Sequence, residues 1–330
     1  MSPHDPLHRA IRYLRISVTD RCNLRCRYCM PEEGVAPLRH DDILRLEEIA
    51  RVARVAAGLG ISRVRLTGGE PLVRKGILDL VRMIAATDGI EDLSMTTNAT
   101  LLAEMAQPLA EAGLRRVNVS LDTLRPDRFR EITRWGSLED ALAGIAAAHR
   151  AGLEPVKINT VVMRGFNDDE VVDLAARTLT EGWHVRFIEV MPLGENAWLN
   201  HERYVPSDET RARIVAALGP LELAELDGNG PARYWRLPGA PGTIGLISAL
   251  SQHFCATCNR LRLTSDGRLM PCLFSALEYD LRTPRRTGAD DAALRAVLLD
   301  AIAHKPVGHT LTDPCAQQFG SPREMSRVGG

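Results

Sequence analysis

Between residues 12 and 190, short runs of alternating polar and apolar residues are each followed by a longer stretch with helical spacing. The runs predict strands at Tyr13–Val18, Arg63–Thr67, Asp92–Thr97, Arg115–Leu121, Pro155–Val162 and His184–Val190. In the first intervening stretch, Ile43, Leu46, Ile49 and Ala53 recur at helix period, with Asp41 as the expected cap and Gly58 or Gly60 as the stop. Repeated β-α units of about 30 residues imply a parallel sheet with right-handed crossovers, either a barrel or an open doubly wound sheet.

Parity within the strands separates these two. One parity is apolar: Leu14 and Ile16, Val64 and Leu66, Val117, Val119 and Leu121, Val156 and Ile158, Val185 and Phe187. The other carries Arg15 and Ser17, Arg65 and Thr67, Asn118 and Ser120, Lys157 and Asn159, and Arg186. A doubly wound sheet is buried, and therefore apolar, on both faces. A complete eight-stranded barrel fills its centre with branched apolar side chains. One polar, cationic face predicts instead an α/β fold of the incomplete (β/α)6 TIM-like barrel kind, with a lumen that holds a charged ligand. Its chemistry is expected in the turns after the strands, at Cys22–Cys29, Gly68–Pro71, Asn98, Asp122–Thr123, Arg164–Asn167 and Met191–Gly194. Beyond Pro206 the pattern changes to a helix near Asp208–Leu218 and strands at Tyr234–Leu237 and Thr243–Ile247. Two domains are expected, a barrel over residues 1–206 and a smaller α+β domain over 207–330, with the boundary near residues 206–220.

Composition narrows the partners. The chain has 330 residues, 45% hydrophobic and 25% charged, with a formal net charge of -1. These values suit a globular protein and argue against broad electrostatic binding to nucleic acid or an acidic membrane. No run approaches the roughly 20 apolar residues of a membrane span, and none resembles a signal peptide. A cytoplasmic location, where thiols stay reduced, is expected.

The cysteines change the picture most. Cys22, Cys26 and Cys29 are spaced C-x3-C-x2-C, and Cys255, Cys258 and Cys272 are spaced C-x2-C-x13-C, leaving Cys315 over. A structural zinc ion takes four protein ligands. A 4Fe–4S cluster held by three thiolates keeps one iron open to another ligand. A zinc knuckle completed by a histidine, or a zinc site completed by Cys315, remains an alternative on ligand count. The cations add a second constraint. Arg15, Arg65, Lys157 and Arg186 share the lumen parity, and Arg260 and Arg262 share a face if their segment is extended. Gathered in one lumen they repel each other unless an anion such as a triphosphate balances them.

The run Ser17-Val-Thr-Asp-Arg-Cys22-Asn-Leu-Arg-Cys26-Arg-Tyr-Cys29-Met-Pro resembles the cluster loop of radical S-adenosylmethionine (AdoMet) enzymes. So do Leu66-Thr-Gly68-Gly69-Glu70-Pro71 and Asn118-Val-Ser120-Leu-Asp122-Thr. With Lys157-Ile-Asn159, Arg186-Phe-Ile-Glu189-Val-Met191-Pro192, Cys255-Ala-Thr-Cys258-Asn-Arg260-Leu-Arg262 and the terminal Gly329-Gly330, nearly the whole chain resembles the GTP 3′,8-cyclase family of molybdenum cofactor biosynthesis. The resemblance implies a lyase with two 4Fe–4S clusters, one on Cys22, Cys26 and Cys29 and one on Cys255, Cys258 and Cys272. It implies AdoMet contacts at Tyr28, Gly68, Gly69, Glu70, Ser120 and Met191. It places GTP against Arg15, Arg65, Thr96, Lys157, Arg186, Arg260, Leu261 and Arg262. Arg15, Lys157, Arg186, Gly329 and Gly330 would serve catalysis, with the diglycine tail reaching into the site.

In the reaction so implied, a 5′-deoxyadenosyl radical removes the ribose 3′ hydrogen of GTP and the product is 3′,8-cyclo-7,8-dihydro-GTP. The implied partners are an electron donor such as flavodoxin or ferredoxin and the next enzyme, cyclic pyranopterin monophosphate synthase. The expected assembly is a monomer or homodimer, with no nucleic acid and no membrane. A radical AdoMet enzyme acting on a peptide is the nearest alternative. Ala99 departs from the family, which usually has glycine there; a positive φ at that position would cost alanine on the order of 1 kcal/mol or shift the turn.

Overall fold

The computed structural model describes residues 2–191, 202–226, 228, 230–309, 323 and 325–328. All six expected strands form: β1 (Tyr13–Ser17), β2 (Arg63–Thr67), β3 (Asp92–Thr97), β4 (Arg116–Ser120), β5 (Lys157–Val162) and β6 (His184–Glu189). They lie side by side and parallel in sequence order. Helices α1 (Leu46–Gly58), α2 (Ile77–Ala85), α3 (Leu102–Glu111), α4 (Pro126–Thr133), α5 (Leu138–Arg150) and α6 (Val171–Thr180) make the crossovers.

The apolar parity is the reason this arrangement holds. Leu14, Ile16, Val64, Leu66, Val117, Val119, Ile158 and Val185 are wholly buried in one core with Ile49 and Ala53 of α1, Leu80 of α2 and Leu109 of α3. Cutting one of these back, as in Leu66→Ala, costs about 2–5 kcal/mol. The α1 start differs from expectation. Asp41 sits in a one-turn 3-10 segment, His40–Asp42, and caps nothing. The helix begins after Arg45, whose N–H donates to Glu48 Oε2 at 2.7 Å, so a carboxylate one turn inside the helix takes over the capping. Gly60, at φ +86°, ends it.

Residues after 206 extend the same sheet at both edges. They form α7 (Ser207–Leu218), β7 (Glu222–Ala224), β8 (Arg233–Arg236), β9 (Thr243–Ile247), β10 (Arg260–Leu263), β11 (Arg268–Met270) and β12 (Tyr279–Asp280). Among the described residues, α8 (Arg282–Arg286), α9 (Asp291–Ala303) and α10 (Met325–Val328) follow. β9 pairs parallel with β6, and β10 pairs parallel with β1. The order is β12-β11-β10-β1-β2-β3-β4-β5-β6-β9-β8-β7. The parallel run is thus flanked by antiparallel strands, and β10 brings the second cysteine set to the side of β1. Among the described residues no helix is long and apolar enough to cross a membrane.

Candidate active site

Three arginines stand abreast on the polar face. Arg262, Arg15 and Arg65 occupy directly paired positions on β10, β1 and β2, and all three are buried. Burial and then Arg262 hold the Arg15 guanidinium well below its ordinary range; burial brings Arg65 and Arg262 each down to about 10. Among the described residues the hydrogen-bond partners of Arg65 and Arg186 are neutral: Arg65 Nε donates to Ser94 Oγ at 3.2 Å, and Arg186 Nη2 to Asn118 Oδ1 at 2.6 Å. Arg15 Nε, Arg186 Nε and the Tyr13 hydroxyl are buried with no hydrogen-bond partner among the described residues. Lys157, on the same face but outside the cavity lining described below, is 1% exposed, and burial followed by Arg186, Arg116 and Arg65 brings its ammonium down to about 6. Such a set is satisfied by an incoming polyanion.

Arg15, Arg65, Arg186, Arg260 and Arg262 line one cavity together with Tyr13 and Asn159. Cys255, Cys258, Cys272, Phe254 and His309 close one side of it, and Met191 and Met325 also reach it. Leu261 does not bring its side chain there, because alternation along β10 turns it into the apolar core. Thr96 Oγ1 is buried without a partner among the described residues and lies outside the lining.

The first cysteine loop follows β1 and is held by its neighbours' backbones. Gly69 N donates to Thr19 O and Glu70 N to Arg21 O, each at 2.8 Å. A Cβ on Gly69 would meet Arg21 O at 2.2 Å, and one on Gly68 would meet Thr19 O at 2.6 Å, so both glycines are needed for this backbone contact itself. The Glu70 carboxylate accepts from Leu72 N, Thr97 Oγ1 and Asn98 N at 2.7–3.0 Å and so joins the turns after β2 and β3. Burial raises it to about 7 against those bonds. Asp122 accepts from Tyr28 Oη at 2.9 Å and Val161 N at 2.8 Å, and burial raises it to about 6. The Tyr28 ring packs with Ile132, Met163 and Val190. Ser120, at the end of β4, is paired with Asn159.

The donor sets suit iron–sulfur clusters. All six cysteines of the two sets are free thiols, partly buried. Among the described residues no three Cys, His, Asp or Glu side chains close on a single metal-ion point. A cluster does not ask for that, since each thiolate takes a different iron. Leu24 N already donates to Cys22 Sγ at 3.4 Å and Asn98 Nδ2 at 3.9 Å, contacts that favour a thiolate. Burial pushes the Cys22 thiol up to about 11 and holds Cys26 well above its ordinary value, whereas at Cys258 burial is outweighed by Arg260 and Lys305, which bring the thiol down to about 6. Cys315, Pro192, Gly329 and Gly330 lie outside the described residues. The helix leading to the diglycine is described: Val328 is buried against Met270 and Leu273, beside Met191.

Residues 16–177 match the Radical SAM superfamily, and residues 183–311 match Molybdenum Cofactor Synthesis C. The chain is 54% identical over 327 residues to GTP 3′,8-cyclase of Pelotomaculum thermopropionicum and 53% identical over 327 residues to that of Moorella thermoacetica, covering 99% of each chain in both cases. This chain belongs to the GTP 3′,8-cyclase family. Its fold is similar to that of Streptococcus suis SuiB bound to S-adenosylmethionine, with TM-score 0.63 at 15% identity over 90% of this chain and 66% of that one. That likeness bears on the fold alone. The fold is the partial β/α barrel of radical AdoMet proteins with a C-terminal domain.

Sequence reasoning missed several cavity residues of this family member. Tyr13 has the parity of Arg15 and could have been found by extending the alternation one step. Phe254, whose ring lies 4.7 Å from the Arg260 guanidinium carbon, and His309 carry no periodic signal and are placed only by tertiary packing.

Proposed function

We infer that this chain converts GTP to 3′,8-cyclo-7,8-dihydro-GTP, the first step of molybdopterin biosynthesis, as a radical AdoMet lyase. The carrying observation is one cavity lined by Arg15, Arg65, Arg186 and Arg262 on one side and by the second cysteine set on the other. Cys22, Cys26 and Cys29 would hold the cluster that binds AdoMet through its open iron. With a reduced cluster and AdoMet in place, that site supplies a 5′-deoxyadenosyl radical able to take the 3′ hydrogen of ribose.

The chain's own residues do the rest. Arg15, Arg65, Arg186 and Arg262 take the triphosphate oxygens, and Lys157 beneath them becomes charged as the anion arrives. Arg260 faces the base, and Cys255, Cys258 and Cys272 would hold a second cluster able to supply a metal ligand to it. Glu70, Gly68 and Gly69 fix the turns around the AdoMet site; Tyr28, Ser120 and Met191 border it. Thr96 and the Leu261 backbone flank the nucleotide. The buried wall excludes water and holds the reacting atoms in register, about 3–3.5 Å apart.

A division of labour at residue 206 accompanies this reading, with residues 1–206 handling AdoMet and 207–330 handling the base. A cytoplasmic setting, a small acidic electron-transfer protein as reductant, and a following enzyme that takes up the labile product complete it. Anaerobic incubation of reconstituted protein with GTP, AdoMet and dithionite, read by mass spectrometry, tests the assignment. An isomer of GTP with one 5′-deoxyadenosine per product is expected; deoxyadenosine without a GTP-derived product would overturn it.

A further inference from the structure

The segment from Lys305 to His309 runs behind the second cysteine set and is tied to each of its parts. Lys305 is 6% exposed. Its Nζ donates to the carbonyl of Arg260 at 2.8 Å and to that of Pro271 at 2.5 Å. Arg260 lies two residues after Cys258, and Pro271 directly precedes Cys272. The next two carbonyls, of Pro306 and Val307, accept from Arg9 Nη2 at 2.7 Å and Nη1 at 3.1 Å, and Arg9 Nη1 also donates to Cys255 O at 2.7 Å. A Cβ on Gly308 would stand 3.2 Å from Cys255 Cβ.

Arg9 has a carboxylate partner, Asp5. Lys305 has none among the described residues; the opposite charges that act on it are those of Cys258 and Cys272. A buried ammonium facing only backbone carbonyls is costly unless an anion lies near. Three thiolates and the sulfides of a cluster are such an anion. The first cysteine set has different surroundings: Glu70 opposes Arg25 at Cys22, and Asp122 acts on Cys26.

We propose that Lys305 is a positioning residue for the second centre, tying the Cys258 and Cys272 segments together and supplying the positive charge that balances the bound cluster. The inference rests on the second cysteine set holding a cluster. A fixed positive charge beside a redox centre favours its reduced form, so Lys305 holds the second centre's potential up. The first centre, whose cysteines lie in the turn after β1, serves as the internal control.

The test uses the full reconstituted chain with Lys305→Met, which removes charge and donors, and Lys305→Gln, which removes the charge and keeps a donor. Iron per chain, chelator-driven iron release and the midpoint potential of each centre are measured, with no turnover needed. The expected result is a lower potential for the second centre in both variants and an unchanged first centre. Iron release from the second centre should be about 10-fold faster in Lys305→Met and slower than that in Lys305→Gln. Complete loss of the second centre with the first intact also supports the proposal. Unchanged potential and release in both variants overturn it, as does loss of both centres together, which marks a lysine that merely stabilises the fold. Wild-type protein with iron for one cluster alone would overturn the two-cluster reading itself, a separate outcome.

Discussion

Arg15 and Arg262 occupy directly paired positions on neighbouring parallel strands, both side chains buried and both pointing into the same cavity. Two like charges so placed raise the free energy of the ligand-free protein and lower it again when phosphate oxygens arrive. Arg15→Met should therefore raise the melting temperature of the ligand-free chain while weakening GTP binding about 10- to 100-fold, the scale of a lost charged hydrogen bond. Calorimetry measures both. A lower melting temperature with unchanged affinity would contradict this account of the arginine row.

Lys157 predicts a proton linkage. In the free protein burial and neighbouring arginines hold its ammonium at about 6, so at pH 8 it is mostly neutral. Bound phosphate favours the charged form and raises that value, so binding takes up a proton. GTP affinity should be greatest near pH 6 and fall as pH rises toward the bound-state value. Titration calorimetry at pH 8 in buffers of different ionisation enthalpy should show uptake approaching one proton, lost in Lys157→Met. Equal uptake in the variant would remove Lys157 as the source.

The two cysteine sets should separate in their effects on binding. Cys22 lies outside the cavity lining, whereas Arg260 and Arg262 are part of it. Cys22→Ala is expected to abolish turnover and leave GTP affinity within about twofold, since no lost contact of roughly 0.4 kcal/mol or more is involved. Replacing Arg260 and Arg262 together by alanine should abolish measurable GTP binding. A negligible effect of that double change would favour a peptide substrate.

Ala99 adopts the left-handed conformation that a glycine would take freely. Its φ is +62°, it is wholly buried, and its N–H donates to Thr97 Oγ1 at 3.0 Å. In the same turn Asn98 N donates to Glu70 Oε2 at 2.7 Å. The strain is held by packing, because Gly144 of α5 lies so close that a Cβ there would meet Ala99 O at 2.2 Å. Ala99→Gly should therefore stabilise the chain by up to about 1 kcal/mol, and Gly144→Ala should destabilise it by about 1–3 kcal/mol. Chemical denaturation reads both, and a destabilising Ala99→Gly would show that the left-handed turn carries no strain.

How much of this was legible depended on how local each cause is. Alternation is a nearest-neighbour property, so β1 through β6 and the face that carries Arg15, Arg65, Lys157 and Arg186 could be read directly. The strand bounds missed by a residue or two, as at Arg115 and Leu121, because hydrogen-bond ladders end where register does and not where hydrophobicity does. The pairing of β10 with β1 joins segments about 250 residues apart, and no spacing in the sequence announces it. Lys305 was invisible for a related reason. Its partners are backbone carbonyls, which every residue has, so only the fold shows which two it chose.

The most direct measurement of the central claim follows the ribose hydrogen. GTP carrying deuterium at the 3′ position is incubated anaerobically with the reconstituted chain, AdoMet and a reductant, and the 5′-deoxyadenosine is analysed by mass spectrometry. Deuterium in the 5′-deoxyadenosine, matched by a GTP-derived isomer that has lost it, is the predicted result. Unlabelled 5′-deoxyadenosine beside unchanged GTP would contradict the account.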